Sequence, residues 1–242
     1  INAGNVLGSS VTPDGTLHHS TVAGFDASGS AIFTDCINLG DISANSYTAD
    51  DWGTYSTEKV YGFSSIENEI NKPSFTNCID AGSAKYPFTG FVDNTTGTYV
   101  TSYYNSDSYG SDYNTNYAKT SDDLCKQEKT NFSNWSYDSS NSRYPLPDIE
   151  KNFSENIWQE VVAKAIPKVS NFTMLQERIA SANETADNPD VIVLNGTINI
   201  AETLKITTPI KIIASTSEGV TITRGPNLTG EFFNNTSTLT LE

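Results

Sequence analysis

Three cysteines, two histidines and 29 acidic residues set the chemistry open to this 242-residue chain. His18 and His19 are neighbours in a Gly- and Thr-rich turn. Adjacent side chains of an extended segment point to opposite faces, and no third ligand accompanies the pair, so it suits a metal ion poorly. Asp50–Asp51 and Glu67/Glu69 have the pairing a glycosidase needs, but such pairs are frequent in an acidic chain and read as solvated surface. The glycines of "NGTINI" and "GPNLTG" mark turns, and neither GxGxxG nor a phosphate-loop pattern occurs. No catalytic residue, metal ligand or cofactor is expected from these residues.

The cysteines are informative for another reason. Three is an odd number, so they cannot form a complete disulfide framework. Cys125 stands alone in "DDLCKQ", whereas Cys36 and Cys78 sit in two versions of one phrase, "FTDCINLGDI" at 33–42 and "FTNCIDAGSA" at 75–84. The chain opens on a third copy, "INAGNV". A weaker fourth, "YNSDSY", begins at residue 104 after "YVTSY". Aligned in this way, one position holds Asn2, Asn38, Asp80 and Asn105. Another holds Gly4, Gly40 and Gly82, with Asp107 last. A second element, "AGF" at 23–25, "YGF" at 61–63 and "TGF" at 89–91, precedes the later copies in the same order while the intervening loops vary.

Elements that recur every few tens of residues around short strand-like cores indicate a solenoid. Strands stacked about 4.8 Å apart pile like side chains into ladders. The expected ladders are Phe33 on Phe75, Cys36 on Cys78, Ile37 on Ile79 and Asn38 on Asp80. Asn or Asp can bond backbone at a corner, and the glycines are expected to supply left-handed turns. The cysteines read as small apolar core residues. A Cys36–Cys78 disulfide is the alternative if the two copies are adjacent.

These phrases, "GF…FTDCINLG" and "GF…FTNCIDAG", resemble the GLUG repeats of bacterial surface proteins, including the amino-terminal regions of some immunoglobulin A peptidases. The resemblance covers residues 1 to about 110, and "TSDDLCKQ…NWS…SRYPLP" at 120–147 is similar to the tail that closes such arrays. The chain departs from the family pattern where two consecutive glycines are frequent, and in the insert 43–60. The resemblance implies a right-handed β-solenoid on a secreted or wall-attached bacterial protein, and it carries no catalytic residues.

Beyond residue 150 the pattern changes. "SENIWQEVVAKAI" at 154–166 places Ile157, Trp158, Val161, Val162 and Ala165 at helical spacing, with Ser154 as N-cap and Pro167 as stop. A second amphipathic helix is predicted over 172–182, with Phe172, Leu175, Ile179 and Ala182 on one face. From Val191 short β-branched runs alternate with turn residues, and Ile192, Ile212 and Phe232 recur at a fixed interval. A short helix followed by "VIVLNGTINI…LKIT…IKIIAS…GVTITRG" resembles the entry into a pectate-lyase-like right-handed β-helix, where the helix covers the open end of the first rung. The acidic calcium ligands and basic proton acceptor of a pectate lyase, which belong on later rungs, are not in this chain.

The expected fold class is therefore all-β: right-handed parallel β-helix or β-solenoid segments with one or two short capping or linking helices. The expected divisions are solenoid repeats with their tail over 1–150, a helical linker over 151–170, and a capping helix with first rungs over 171–242. The formal net charge of −15 repels phosphate backbones and argues against a nucleic-acid partner. No apolar run is long enough to span a membrane. Ten N-x-S/T sequons follow from the Asn, Ser and Thr content.

Tyr103, Tyr109, Tyr113 and Tyr117 form the candidate ligand surface, since rigid aromatics with polar tips suit glycan or protein recognition; the alternative is that they fill the last rungs. The chain starts and stops on strand-like phrases, as a piece of a longer protein would, and exposed strand edges there favour end-to-end self-association. The expected role is non-enzymatic: a stalk or adhesive, ligand-presenting segment at a bacterial cell surface, meeting a host or environmental glycan or protein. The alternative is an accessory part of a polysaccharide-acting enzyme, or a carbohydrate-binding module.

Overall fold

Short runs of β-branched and aromatic residues, broken by Gly, Asn and Ser, fold here into short strands that find their partners far away in sequence. The computed structural model describes residues 1–4, 6–9, 21–23, 25, 32–45, 59–63, 73–83, 98–109, 116–126, 132–138, 143–182, 189–215 and 219–242. The described chain is mostly strand with few helices. It divides into two compact units: Ile1–Tyr137 with Pro145–Lys164, and Asp138–Tyr144 with Ala165–Glu242.

The first unit contains β1 (Val6–Ser9), β2 (Thr21–Ala23), β3 (Ile32–Thr34), β4 (Ile37–Asn38), β5 (Ile42–Asn45), β6 (Lys59–Tyr61), β7 (Ser74–Thr76) and β8 (Ile79–Asp80). After these come β9 (Thr98–Val100), β10 (Tyr103–Asn105), α1 (Ser106–Tyr109), β11 (Ala118–Lys119), α2 (Ser121–Cys125), β12 (Trp135–Ser136), β13 (Leu146–Pro147) and α3 (Glu155–Lys164). Each of β1 to β4 pairs in parallel with the fourth strand after it: β1 with β5, β2 with β6, β3 with β7 and β4 with β8. The third and fourth of these rows continue, β7 to β9 and β8 to β10, and β11 joins β10. Only β12 and β13, among the described strands of this unit, pair antiparallel.

Register explains the repeated residue types. Phe33 faces Phe75 and Ile37 faces Ile79. All four are buried. The Phe33 and Phe75 rings stack at 5.2 Å with their planes 6° apart, and Phe63 meets both edge-on. Pairing of β2 with β6 also brings the "GF" elements together. Phe25 N–H donates to the Phe63 carbonyl at 3.0 Å, and the rings stack at 4.7 Å. Such pairs add about 0.5–1.5 kcal/mol each beyond simple burial.

The fourth copy is shifted by one residue from its expected alignment. Tyr103 faces Ile79 and Tyr104 faces Asp80, so Tyr104, and not Asn105, occupies the Asn/Asp position. In α3 the expected apolar stripe is only partly covered: Trp158 and Val161 are buried, but Ile157 is exposed.

The second unit contains β14 (Lys168–Val169), α4 (Phe172–Ser181), β15 (Asp190–Leu194), β16 (Thr197–Ile200), β17 (Leu204–Ile206), β18 (Ile210–Ala214), β19 (Thr221–Arg224), β20 (Phe233–Asn235) and β21 (Leu239–Leu241). Here each strand pairs in parallel with the third strand after it: β15 with β18, β16 with β19, β17 with β20 and β18 with β21. β14 flanks β15. Alternation points Ile198, Ile200, Leu204 and Ile206 inward, while Thr197, Asn199 and Lys205 are exposed. Ile192 does face Ile212, but the next residue in that row is Leu241, not Phe232. The chain between β18 and β21 is longer than the previous circuit, so a fixed interval overruns the register, and the Phe232 carbonyl accepts from Leu204 N–H instead. α4 begins where Asn171 Oδ1 accepts from Met174 N–H at 3.0 Å. Its Leu175 and Ile179 join the buried cluster with Ile198, Ile200, Leu204 and Ile206. No helix among the described residues is long and apolar enough to cross a membrane.

Candidate functional site

The most elaborate polar arrangement in the first unit runs across the repeat copies. Asn2 Nδ2 donates to Asn38 Oδ1 at 2.8 Å, and Asn38 Nδ2 donates to Asp80 Oδ1 at 2.9 Å. Tyr109 OH, from α1, donates to the same Asp80 oxygen at 2.9 Å. Asn38 and Asp80 are completely buried. An amide accepts on one side and donates on the other, so it can pass a hydrogen bond along a stack. A carboxylate only accepts, so it ends the chain. Asp80 therefore stands at the last position of this ladder, where its register partner is Tyr104 and a donor arrives from Tyr109. A buried chain of this kind resists slippage, because moving one copy by a residue strands several buried polar groups.

The glycines serve this ladder by close approach. The expected left-handed turn does not occur: among the described residues only Gly196 and Gly219 are glycines with positive φ. A Cβ on Gly40 would lie 2.0 Å from Gly4 O, and one on Gly82 would lie 2.1 Å from Gly40 O. Gly62, from the "GF" element, faces the carboxylate itself, and a Cβ there would lie 1.8 Å from Asp80 Oδ2. Two motifs that keep their order at variable distance are thus parts of one contact.

The left-handed corner lies elsewhere. Asp35, Asn77 and Thr101 have φ of 51°, 54° and 48°. Asn77 Nδ2 and Trp135 Nε1 both donate to Asp35 Oδ1 at 3.1 Å. Asp and Asn tolerate this conformation, whereas a β-branched threonine is strained in it.

Cys36 and Cys78 stand one residue beyond that corner, and Ser102 continues their row. The three side chains behave alike: Cys36 Sγ turns to Thr34 O at 3.2 Å, Cys78 Sγ to Thr76 O at 3.3 Å, and Ser102 Oγ to Val100 O at 3.0 Å. Ser102 Oγ also accepts from Cys78 N–H at 3.1 Å. None of the three cysteines is in a disulfide; Cys78 and Cys125 are buried, and Cys36 is half-buried. The Cys78 thiol, which can turn its S–H to a Cys36 thiolate, lowers Cys36 to about 7 against the burial that opposes it. The same coupling to Cys36, with burial, pushes Cys78 well above the ordinary thiol range.

Asn105 keeps the turn chemistry of the motif without its register. Its Oδ1 accepts from Asp107 N–H at 3.0 Å, as Asn38 Oδ1 accepts from Gly40 N–H at 3.3 Å. It also bonds Ser108 and Ser121.

Of the candidate tyrosines among the described residues, Tyr109 is buried and Tyr103 and Tyr117 are partly covered. Tyr109 is buried on Asp80. Tyr103 is partly covered, with Phe132 edge-on to its ring and Lys119 Nζ 5.4 Å above it. Tyr117 packs against the core cluster of Phe33, Phe63 and Phe75. This burial follows from register: Tyr103 and Tyr104 occupy positions that are inward-facing Ile79 and Asp80 one copy earlier. Tyr113, His18, His19, Asp50, Asp51, Glu67 and Glu69 lie outside the described residues. Among the described residues no group of three or more His, Cys, Asp or Glu could hold a metal ion. Sequence reasoning missed Ser102 and Thr101. Ser102 could have been found as the small hydroxyl equivalent of Cys had the fourth copy been aligned from "FTNC" onto "YVTS".

Comparison of the chain with protein-family models, with curated proteins and with solved structures gives no match.

Proposed function

We propose that this chain is a structural and adhesive segment of a bacterial cell-surface protein, in which two right-handed β-solenoid segments act as a stalk or ligand-presenting solenoid. The observation that carries this reading is the recurring parallel pairing in both units, in which like residues of the first unit return to like positions and its buried polar groups join copy to copy. An arrangement whose most elaborate contacts lie along the stack suits a rod that resists extension. The resemblance to GLUG repeats over the first unit supplies the extracellular setting. The reading is non-enzymatic, and its ligand is a glycan or a protein of the host or environment.

A glycan-array screen of the chain, run beside a hydrolysis assay on pectin and other polysaccharides, tests it. Binding without turnover is the expected result. Reproducible cleavage that is lost on changing one carboxylate would overturn the reading in favour of a polysaccharide-acting enzyme.

A further inference from the structure

We propose that Cys36 and Cys78 form a thiol pair that low-molecular-weight disulfides convert into a cross-link between two repeat copies, with Cys36 as nucleophile and Cys78 as resolving thiol.

The geometry carries this. Asp35 N–H donates to Thr76 O at 3.0 Å and Ile79 N–H donates to Cys36 O at 2.9 Å, so Cys36 and Cys78 are direct neighbours on paired parallel segments. Such neighbours lie about 4.8 Å apart, inside the range of about 4.4–6.8 Å between Cα atoms that a disulfide accepts. Both sulfurs lean the same way, each toward the carbonyl two residues earlier. The row continues to Ser102, a hydroxyl, so the thiols are a pair and not a longer ladder.

The two differ in access: Cys36 is half-buried and Cys78 completely buried. A solvent-borne disulfide therefore meets Cys36 first. The lowered pKa of Cys36 raises its thiolate fraction and acts in the same direction.

The exchange balances as follows. Cys36 loses its proton, and its sulfur attacks one sulfur of the small disulfide. The Cys36 mixed disulfide forms and one small thiolate leaves, taking up a proton. Cys78 then loses its proton and attacks Cys36 Sγ, forming the Cys36–Cys78 bond and releasing the second small thiol. Two protein thiols are oxidised and one small disulfide is reduced to two thiols. The product staples the copies beside the Asn38–Asp80 bond and leaves Cys125, buried in α2, as a thiol.

The test treats the folded, reduced chain with glutathione disulfide and follows intact mass, peptide mapping and residual alkylation. The expected product is two hydrogens lighter than the reduced chain, yields a Cys36–Cys78 linked peptide, and keeps Cys125 alkylatable. Cys78→Ser should stop at the Cys36 mixed disulfide. Cys36→Ser should react about tenfold more slowly than the unaltered chain, because only buried thiols remain. Circular dichroism of both variants establishes that they are folded. The proposal is overturned if the native chain forms no Cys36–Cys78 link, if the link forms only after denaturation, if Cys125 enters it, or if Cys36→Ser reacts as fast as the unaltered chain.

Discussion

Replacing Gly40 or Gly82 with alanine should destabilise the first unit strongly, while the same change at Gly4 should not. The three glycines hold one repeat position, so neither sequence motif nor helix or strand propensity separates them. Their surroundings do. A Cβ on Gly40 would lie 2.0 Å from Gly4 O and 3.2 Å from Asn2 Nδ2, and one on Gly82 would lie 2.1 Å from Gly40 O and 2.8 Å from Asn38 Nδ2. On Gly4 the nearest atom is Asn2 Oδ1, at 4.0 Å. Ordinary contact needs about 3.5 Å, so adjacent copies would have to part by about 1.5 Å at Gly40 or Gly82. At Gly82 that movement stretches Ala81 N–H to Asn38 O, 2.9 Å, Ser83 N–H to Gly40 O, 3.3 Å, and the Asn38–Asp80 bond. Two or three such bonds at about 1 kcal/mol each, with the strain of overpacking, give a loss of about 2–4 kcal/mol. At Gly4 the entropy removed from the unfolded chain leaves the change neutral, or stabilising by about 0.5 kcal/mol. Urea titration by tryptophan fluorescence reports on this unit, because Trp135 and Trp158 both belong to it. The midpoint should fall for Gly40→Ala and Gly82→Ala at unchanged slope. Three variants within about 0.5 kcal/mol of one another would refute the close-approach account.

Asn38→Asp places a second buried carboxylate against Asp80 and should cost about 3–5 kcal/mol at neutral pH. The pair would hold a proton more tightly folded than unfolded, so the deficit should shrink as pH falls; a deficit independent of pH would count against the ladder. Leu175→Ala, at a completely buried site under α4, should cost about 2–5 kcal/mol in a circular-dichroism melt of the second unit, and a change below about 1 kcal/mol would mean α4 covers nothing. Thr101→Asn should raise stability by about 1 kcal/mol by relieving the strain at φ 48°, and a loss of that size would contradict it. Alkylation of Cys36 should rise with pH through about 7, well below the rise of an ordinary thiol, and should move back up in Cys78→Ala, which removes the donor.

Much of the first unit is legible in its residue types because stacked positions repeat them. Phe33 with Phe75 and Asn38 with Asp80 could be aligned before any coordinates, and the structure pairs them in register. Where the reading slipped, two local rules competed. Asn105 bonds the backbone two residues on, as Asn38 does, so it looks like the ladder residue while Tyr104 holds the position. Glycine was read through its conformational freedom, but Gly40, Gly62 and Gly82 are needed for the space a missing Cβ leaves, which depends on atoms from another copy. Phe232 kept a fixed interval that the longer second circuit breaks. Ile157 fits a helical stripe, yet burial depends on what lies opposite, and periodicity alone does not reveal that. The tyrosines illustrate the same limit, since an amphipathic ring can serve either a surface or a core.

The register of the repeat can be read directly from nuclear Overhauser contacts in the isotopically labelled chain. The account predicts contacts joining Ile37 to Ile79 and Ile79 to Tyr103, with Asp80 opposite Tyr104 and a protected Asn38 side-chain amide. Contacts placing Asn105 opposite Asp80, or no contact between the 33–42 and 75–84 segments, would contradict it.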